Sequence, residues 1–319
     1  MSDLPKRIHI NEEGPREGFQ IEPGPIASAD KVRFIEALAE TGLKKIDCVS
    51  FVNPRRVPGQ ADAEAVAAAI RKRPGVTYTG LWLNMAGLER AMKTQLDLVG
   101  RMGINASDTF GKKNTGMDRA QIADEQRKYI VKYKELGLRV ESITILTAFG
   151  CNFEGAIQPA RVVQSIAEGL AIAAEGGVSI GSVNLADTVG WATPQAIARV
   201  IGAVRERWPD MRLRMHLHDT RGTGLANAYE AMRLGVDMFD ASCAGLGGCP
   251  FAGHKGASGN ICTEDLVFMA EEMGIETGVD LDRLIECAHM VESIVGHPLT
   301  GKVMRGGSLT KYRQAQAAQ

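Results

Sequence analysis

Short runs of clustered or alternating apolar residues recur along the chain: IHINEEG, KKIDCVSFV, VTYTGLWLN, LDLVGRMGIN, LRVESITILTAF, GSVNLADTV, LRMHLHDT and GVDMFDASCAGL. Runs of this length, bounded by turn residues, predict strands. Between them lie longer amphipathic stretches that predict helices: SADKVRFIEALAETG, DAEAVAAAIRKRPG, MDRAQIADEQRKYIVKYKELG, QPARVVQSIAEGLAIAAEGG, TPQAIARVIGAVRERWPD and GLANAYEAMRLG. Several open on Ser, Thr or Asp and several close on Gly, the residues that cap helix ends.

Strand and helix alternate strictly, which favours a parallel sheet, because parallel neighbours need a crossover connection. Eight such units in roughly 270 residues fit a closed (β/α)8 TIM barrel better than an open doubly wound sheet. No linker or low-complexity segment interrupts the series. The reading is one α/β domain over residues 1–319, with the barrel over about 8–265. The stretch from about 266 to 319, including TEDLVFMAEEMG and DLDRLIECAHMVESIVG, adds C-terminal helices that extend or cap it.

Composition narrows the classes. Hydrophobic residues make up 45% and charged residues 24% of the 319, so a sizeable buried core is expected rather than disorder or a fibre. Basic side chains number 37 and acidic ones 38, which leaves no global field to attract nucleic acid or an anionic membrane. No apolar stretch approaches the roughly 18 residues of a membrane span, and the N-terminus lacks the apolar run of a signal peptide. Six cysteines are scattered without a CxxC pair; reduced thiols and a cytoplasmic location are the expectation.

Candidate chemistry begins at MHLHDTRGTG, residues 215–224. In a strand, side chains at i and i+2 share a face, so His216 and His218 can both turn to the barrel interior and share one metal ion. Two histidines satisfied by hydrogen bonds are the plainer alternative. NEEGPREGFQ, after the first strand, sets Arg16 and Glu17 side by side in a Gly-Pro turn at the same barrel end. Alone, the pair reads as a solvated salt bridge. Beside the histidines, Glu17 can supply an oxygen ligand, and Arg16 can hold a carbonyl oxygen that gains negative charge. CAGLGGCPFAGHKGASGN follows the eighth strand. It reads as a mobile loop that delivers Cys249 to the barrel mouth, or as a phosphate-cradling or merely flexible one. Asn260 at its end offers a neutral oxygen ligand.

In their order, GPREGFQ, IDCVSFV, NLADTVG, MHLHDTRGTGLAN and AGLGGCPFAGHKGASGN resemble the hydroxymethylglutaryl-CoA lyases of the metallolyase group of TIM barrels, over roughly residues 8 to 300. The resemblance implies metal ligands at Glu17, His216, His218 and Asn260, a catalytic arginine at Arg16, a loop cysteine at Cys249 and an active-site acid at Asp187. Two positions depart together: Glu17 stands where the family has aspartate, and Asp47 where it has glutamate. The longer Glu17 is expected to be accommodated by the shorter Asp47. Cys249 and Asn260 also stand two residues further apart than in the family pattern, with Gly253, His254 and Lys255 around the addition.

The implied reaction is divalent-metal-dependent cleavage of a carbon–carbon bond in a 3-hydroxyacyl-CoA. An example is 3-hydroxy-3-methylglutaryl-CoA, which would give acetyl-CoA and the keto acid acetoacetate. Asp187 is the candidate base with Asp47 as alternative, Arg16 steadies the enolate oxygen, and Cys249 returns the proton. Two imidazoles with oxygen ligands suit Mg²⁺ or Mn²⁺, with Zn²⁺ second, since the set contains an Asn and no cysteine. Acyl-CoA is the expected partner and a homodimer the expected assembly. A Claisen-type synthase or aldolase of the same group acting on a 2-oxo acid is the other enzyme reading. A silent barrel that serves an assembly is the non-enzyme one.

Overall fold

The eight runs read as strands all form, and they lie side by side in chain order. In the computed structural model, which describes residues 4–248 and 259–317, they are β1 (His9–Glu12), β2 (Lys45–Ser50), β3 (Thr77–Leu81), β4 (Gly100–Asn105), β5 (Val140–Leu146), β6 (Ser182–Ala186), β7 (Leu213–His216) and β8 (Met238–Ala241). All seven pairings are parallel, in the order β3-β2-β1-β8-β7-β6-β5-β4. The sheet curls until its two end strands approach, and Asp97, just ahead of β4, spans the seam. Its N–H donates to Tyr78 O at 2.7 Å, and its carboxylate accepts from Tyr78 N at 2.8 Å. The architecture is the expected (β/α)8 barrel.

Helices cover the outside, and their sequences explain their limits. Asp118 and Gln121 form a reciprocal capping box at the start of Arg119–Glu135, which buries Ile122, Gln126, Tyr129, Ile130 and Tyr133 along one stripe. Thr193 caps Pro194–Arg207, whose Pro occupies the first turn, where no N–H is missed, and whose Ile197, Val200, Ile201 and Val204 face the sheet. Gly296, at φ 75°, ends Leu281–Val295. Thr263–Glu272, Leu281–Val295, Val303–Gly306 and Thr310–Ala317 make up the C-terminal helices.

The lumen is unusual. Such barrels are mostly filled by branched apolar side chains, yet here polar groups from different strands meet inside. Asn11 of β1 and Asn184 of β6 donate to the two oxygens of Asp240 on β8, at 3.0 and 2.8 Å. Arg101 of β4 grips Asp47 of β2 with two bonds of 2.8 Å. Arg214 of β7 and Lys45 of β2 share Glu141 of β5. Each buried charge thus has an opposite neighbour, which offsets much of its desolvation cost.

Two local features differ from the sequence reading. Arg16 and Glu17 sit on one wide π-helical turn, Gly14–Gly18, rather than in a simple Gly-Pro turn. Gly150–Cys151 and Gly155–Ala156 form a small antiparallel hairpin that the sequence did not suggest.

Candidate active site

The residues singled out from the sequence gather at the C-terminal ends of the strands. His216 is the last residue of β7, His218 follows two later, and Asp187 directly follows β6. Asn260 joins His218 through an isolated antiparallel bridge. Glu17 reaches them from the wide turn after β1, which is closely packed, since a side chain at Gly14 would strike Glu12 and one at Gly18 would strike Leu246.

Glu17 Oε1 lies 3.3 Å from His218 Nε2, and Glu17 Oε2 lies 3.8 Å from His216 Nε2. His218 Nδ1 faces the carbonyl of Asp187 at 2.7 Å. A carbonyl only accepts, so Nδ1 carries the hydrogen and Nε2 is the nitrogen left to ligate, turned towards the carboxylate of Glu17. Two lone pairs facing each other at this separation call for a cation or a proton between them. His216 Nδ1 is held in the same manner by Asp240, at 3.3 Å. Asn260 donates through Nδ2 to Leu246 O at 3.2 Å, which leaves its Oδ1 buried with no partner among the described residues. Two imidazole nitrogens, a carboxylate and an orphaned amide oxygen are a donor set that fits a divalent cation.

The electrostatics agree with the geometry. Burial works against the charged form of Glu17, but Arg16 and the two imidazoles outweigh it and hold the carboxyl well below the usual range. Burial likewise disfavours charged His216, yet Glu17 and Asp240 push it up to about 9.

Arg16 stands between two acids. Its Nη1 is 3.0 Å from Glu17, and its Nη2 is in close contact with Glu13. Burial raises Glu13 to about 8 despite Arg16. Asp187 spends Oδ1 on the N–H groups of Trp191 and Ala192, at 2.7 and 3.0 Å, while its Oδ2 is buried with no partner among the described residues. Burial lifts its carboxyl to about 6.

Asp47 stands apart from the histidine cluster, with both oxygens on Arg101 and a close contact to Thr79. Although burial opposes it, Arg101 holds Asp47 far below the ordinary carboxylate range. Asp47 packs against Arg101 instead of Glu17, and Arg16 is the charge that both acids feel. Cys249, Gly253, His254 and Lys255 lie outside the described residues.

Sequence reasoning missed Asp240, Glu13 and Arg101. Asp240 left a faint signal, as an acid inside an apolar strand run. Glu13 and Arg101 gain their roles only through contacts across the barrel.

A family model described as HMGL-like matches residues 7–291. The chain belongs to this family. It is 37% identical over 298 residues to hydroxymethylglutaryl-CoA lyase YngG of Bacillus subtilis, an alignment covering 93% of this chain and 96% of that one. It is 36% identical to the 3-hydroxy-3-isohexenylglutaryl-CoA/hydroxymethylglutaryl-CoA lyase of Pseudomonas aeruginosa, covering 92% and 95%. Its fold superposes on a hydroxymethylglutaryl-CoA lyase from Acinetobacter baumannii, solved with coenzyme A and 3-methylmalate. That match has a TM-score of 0.85, 35% identity, and coverage of 95% of this chain and 96% of the other.

Proposed function

We propose that the chain is a divalent-metal-dependent carbon–carbon lyase that cleaves a 3-hydroxyacyl-CoA, 3-hydroxy-3-methylglutaryl-CoA or a close analogue, to acetyl-CoA and a keto acid. The observation that carries this reading is the convergence of both imidazoles and Glu17 at the barrel mouth, with Asn260 bridged to His218 and its Oδ1 buried without a partner among the described residues. Relatives named as hydroxymethylglutaryl-CoA lyases over nearly the whole chain supply the reaction type.

Glu17, His216, His218 and Asn260 would hold Mg²⁺ or Mn²⁺; when bound, the ion polarises the substrate hydroxyl and lowers its pKa. Asp187 takes the hydroxyl proton on Oδ2. At about 6, its affinity is high enough to receive a proton and low enough to begin ionised at neutral pH. The O–H electron pair becomes the new C=O bond, and the pair of the breaking carbon–carbon bond passes to the thioester fragment as an enolate. Arg16, kept charged by Glu13 and Glu17, donates to the oxygen on which that charge collects. Cys249 is assigned the last step, giving its thiol proton to the enolate carbon. Asp47 acts by holding Arg101, since a carboxylate so strongly paired is a poor base.

The five cysteines among the described residues are free and buried, which accords with a reducing compartment such as the cytoplasm. No helix among the described residues is long and apolar enough to cross a membrane.

The test is incubation of the Mn²⁺-loaded enzyme with a panel of 3-hydroxyacyl-CoA thioesters that includes the methyl and isohexenyl glutaryl compounds. Release of acetyl-CoA with a keto acid is expected. Product only from acetyl-CoA plus 2-oxo acids would overturn cleavage in favour of condensation.

A further inference from the structure

At the opposite end of the barrel, the N-terminal ends of the strands enclose a cavity of about 260 Å³. His9, Lys45 and Thr77, the first residues of β1, β2 and β3, line it, and its inner wall, at Asn11 and Arg214, lies one layer of side chains from the histidine site, with Asp240 between them. Its charged lining is unbalanced: Lys44, Lys45 and Arg214 face the single carboxylate of Glu141. Lys44 is exposed at the mouth, Lys45 is partly buried, and Arg214 is only 6% exposed.

The neighbouring acids do not correct the imbalance. Asp240 comes within 3.9 Å of Arg214 Nε, but its oxygens serve Asn11, Asn184 and His216. Asp47 is spent on Arg101. Glu141 is therefore divided between Lys45 and Arg214, whose Nη2 it meets at 3.0 Å. An ammonium has three donors and a guanidinium five, so both cations retain N–H capacity beyond the one carboxylate they share. Cations removed from bulk water gain most from charged oxygen partners.

We propose that this cavity binds a small oxyanion, a carboxylate or phosphate, held by Lys45 and Arg214 with Lys44 at the entrance. Its volume equals roughly eight water molecules, enough for a compact dianion such as malonate or inorganic phosphate and too small for a nucleotide.

The experiment titrates the Mn²⁺-loaded full chain with malonate and, separately, with inorganic phosphate by calorimetry. Replacing the competing carboxylate, Glu141→Gln, should tighten binding about tenfold, and Lys45→Met should weaken it about tenfold, each being the change of one charge-assisted hydrogen bond. Because Lys45→Met disturbs a buried pair, the exposed Lys44→Ala keeps the test independent of folding, with a loss of about two- to threefold. Crystals soaked in selenate or bromomalonate should show an anomalous peak between Lys45 and Arg214. Response to malonate alone or phosphate alone names the preferred anion within the proposal. Affinities indifferent to Glu141→Gln and Lys44→Ala, or a peak for neither anion in the cavity, would overturn it.

Discussion

Asp240 Oδ2 lies 3.3 Å from His216 Nδ1, and the two residues face each other in register across β8 and β7. A carboxylate behind an imidazole fixes which nitrogen is free and makes that nitrogen a better ligand. Asp240→Asn should weaken Mn²⁺ affinity about 10- to 100-fold while the barrel stays folded, because the amide oxygen still accepts from one of Asn11 and Asn184 and its NH2 can donate to the other once that side chain's amide flips. Electron paramagnetic resonance of free Mn²⁺ measures this directly; unchanged affinity would separate Asp240 from the metal site.

Proton and metal compete for His216. With its pKa raised to about 9 by Glu17 and Asp240 against burial, the ring must lose a proton to ligate at neutral pH. Mn²⁺ affinity should therefore climb with pH by up to about tenfold per unit between pH 7 and 9, with proton release detectable by calorimetry in buffers of different ionisation heat. An affinity flat over that range would contradict the assignment.

The same shifts govern the stability of the metal-free protein. A histidine whose folded pKa is raised contributes stability that is full below its unfolded value, near 6.5, and is lost as pH rises through about 9. Burial raises Glu12 to about 7 and Glu264 to about 8; their contribution falls as pH rises from the ordinary carboxylate range to those values. Both effects have one sign, so the melting temperature of the metal-free chain should decline steadily from pH 6.5 to 9.

Much of this was legible in the sequence because periodicity survives in the chain. The alternation around MHLH gave a strand, and the strand put His216 and His218 on one face. Glu17 and Asn260 were legible as possible oxygen ligands and the resemblance implied them as such, and the structure sets both beside the histidines. What escaped depended on closure: Arg101 and Asp47 are 54 residues apart, and nothing in LDLVGRMGIN suggests that its arginine turns inward. The charged lumen departs from the branched apolar filling usual in such barrels, and the wide turn at Gly14–Gly18 packs closely against Leu246, an approach made only in the folded barrel.

Arg101 is the one charged partner that bonds both oxygens of Asp47 among the described residues, and Asp47 is 2% exposed. Arg101→Met should strip a buried carboxylate of its counter-charge and cost about 3–5 kcal/mol of stability, read from urea denaturation midpoints. A loss below about 1 kcal/mol, the range of an exposed pair, would show that Asp47 does not depend on it.

Cys249→Ser should lower turnover about 100-fold or more, the contribution of a well-placed general acid, with metal content unchanged by elemental analysis. Full turnover in the serine variant would remove Cys249 from proton return.

The central claim is one divalent ion gripped at the barrel mouth, and anomalous diffraction at the manganese edge from crystals grown with Mn²⁺ tests it most directly. The account predicts a single peak in contact with His216 Nε2, His218 Nε2, Glu17 and Asn260 Oδ1, at about 2.1 Å from its ligands, the distance for a small hard cation. A map with no peak among these four groups, or with the two imidazoles turned apart, would contradict it.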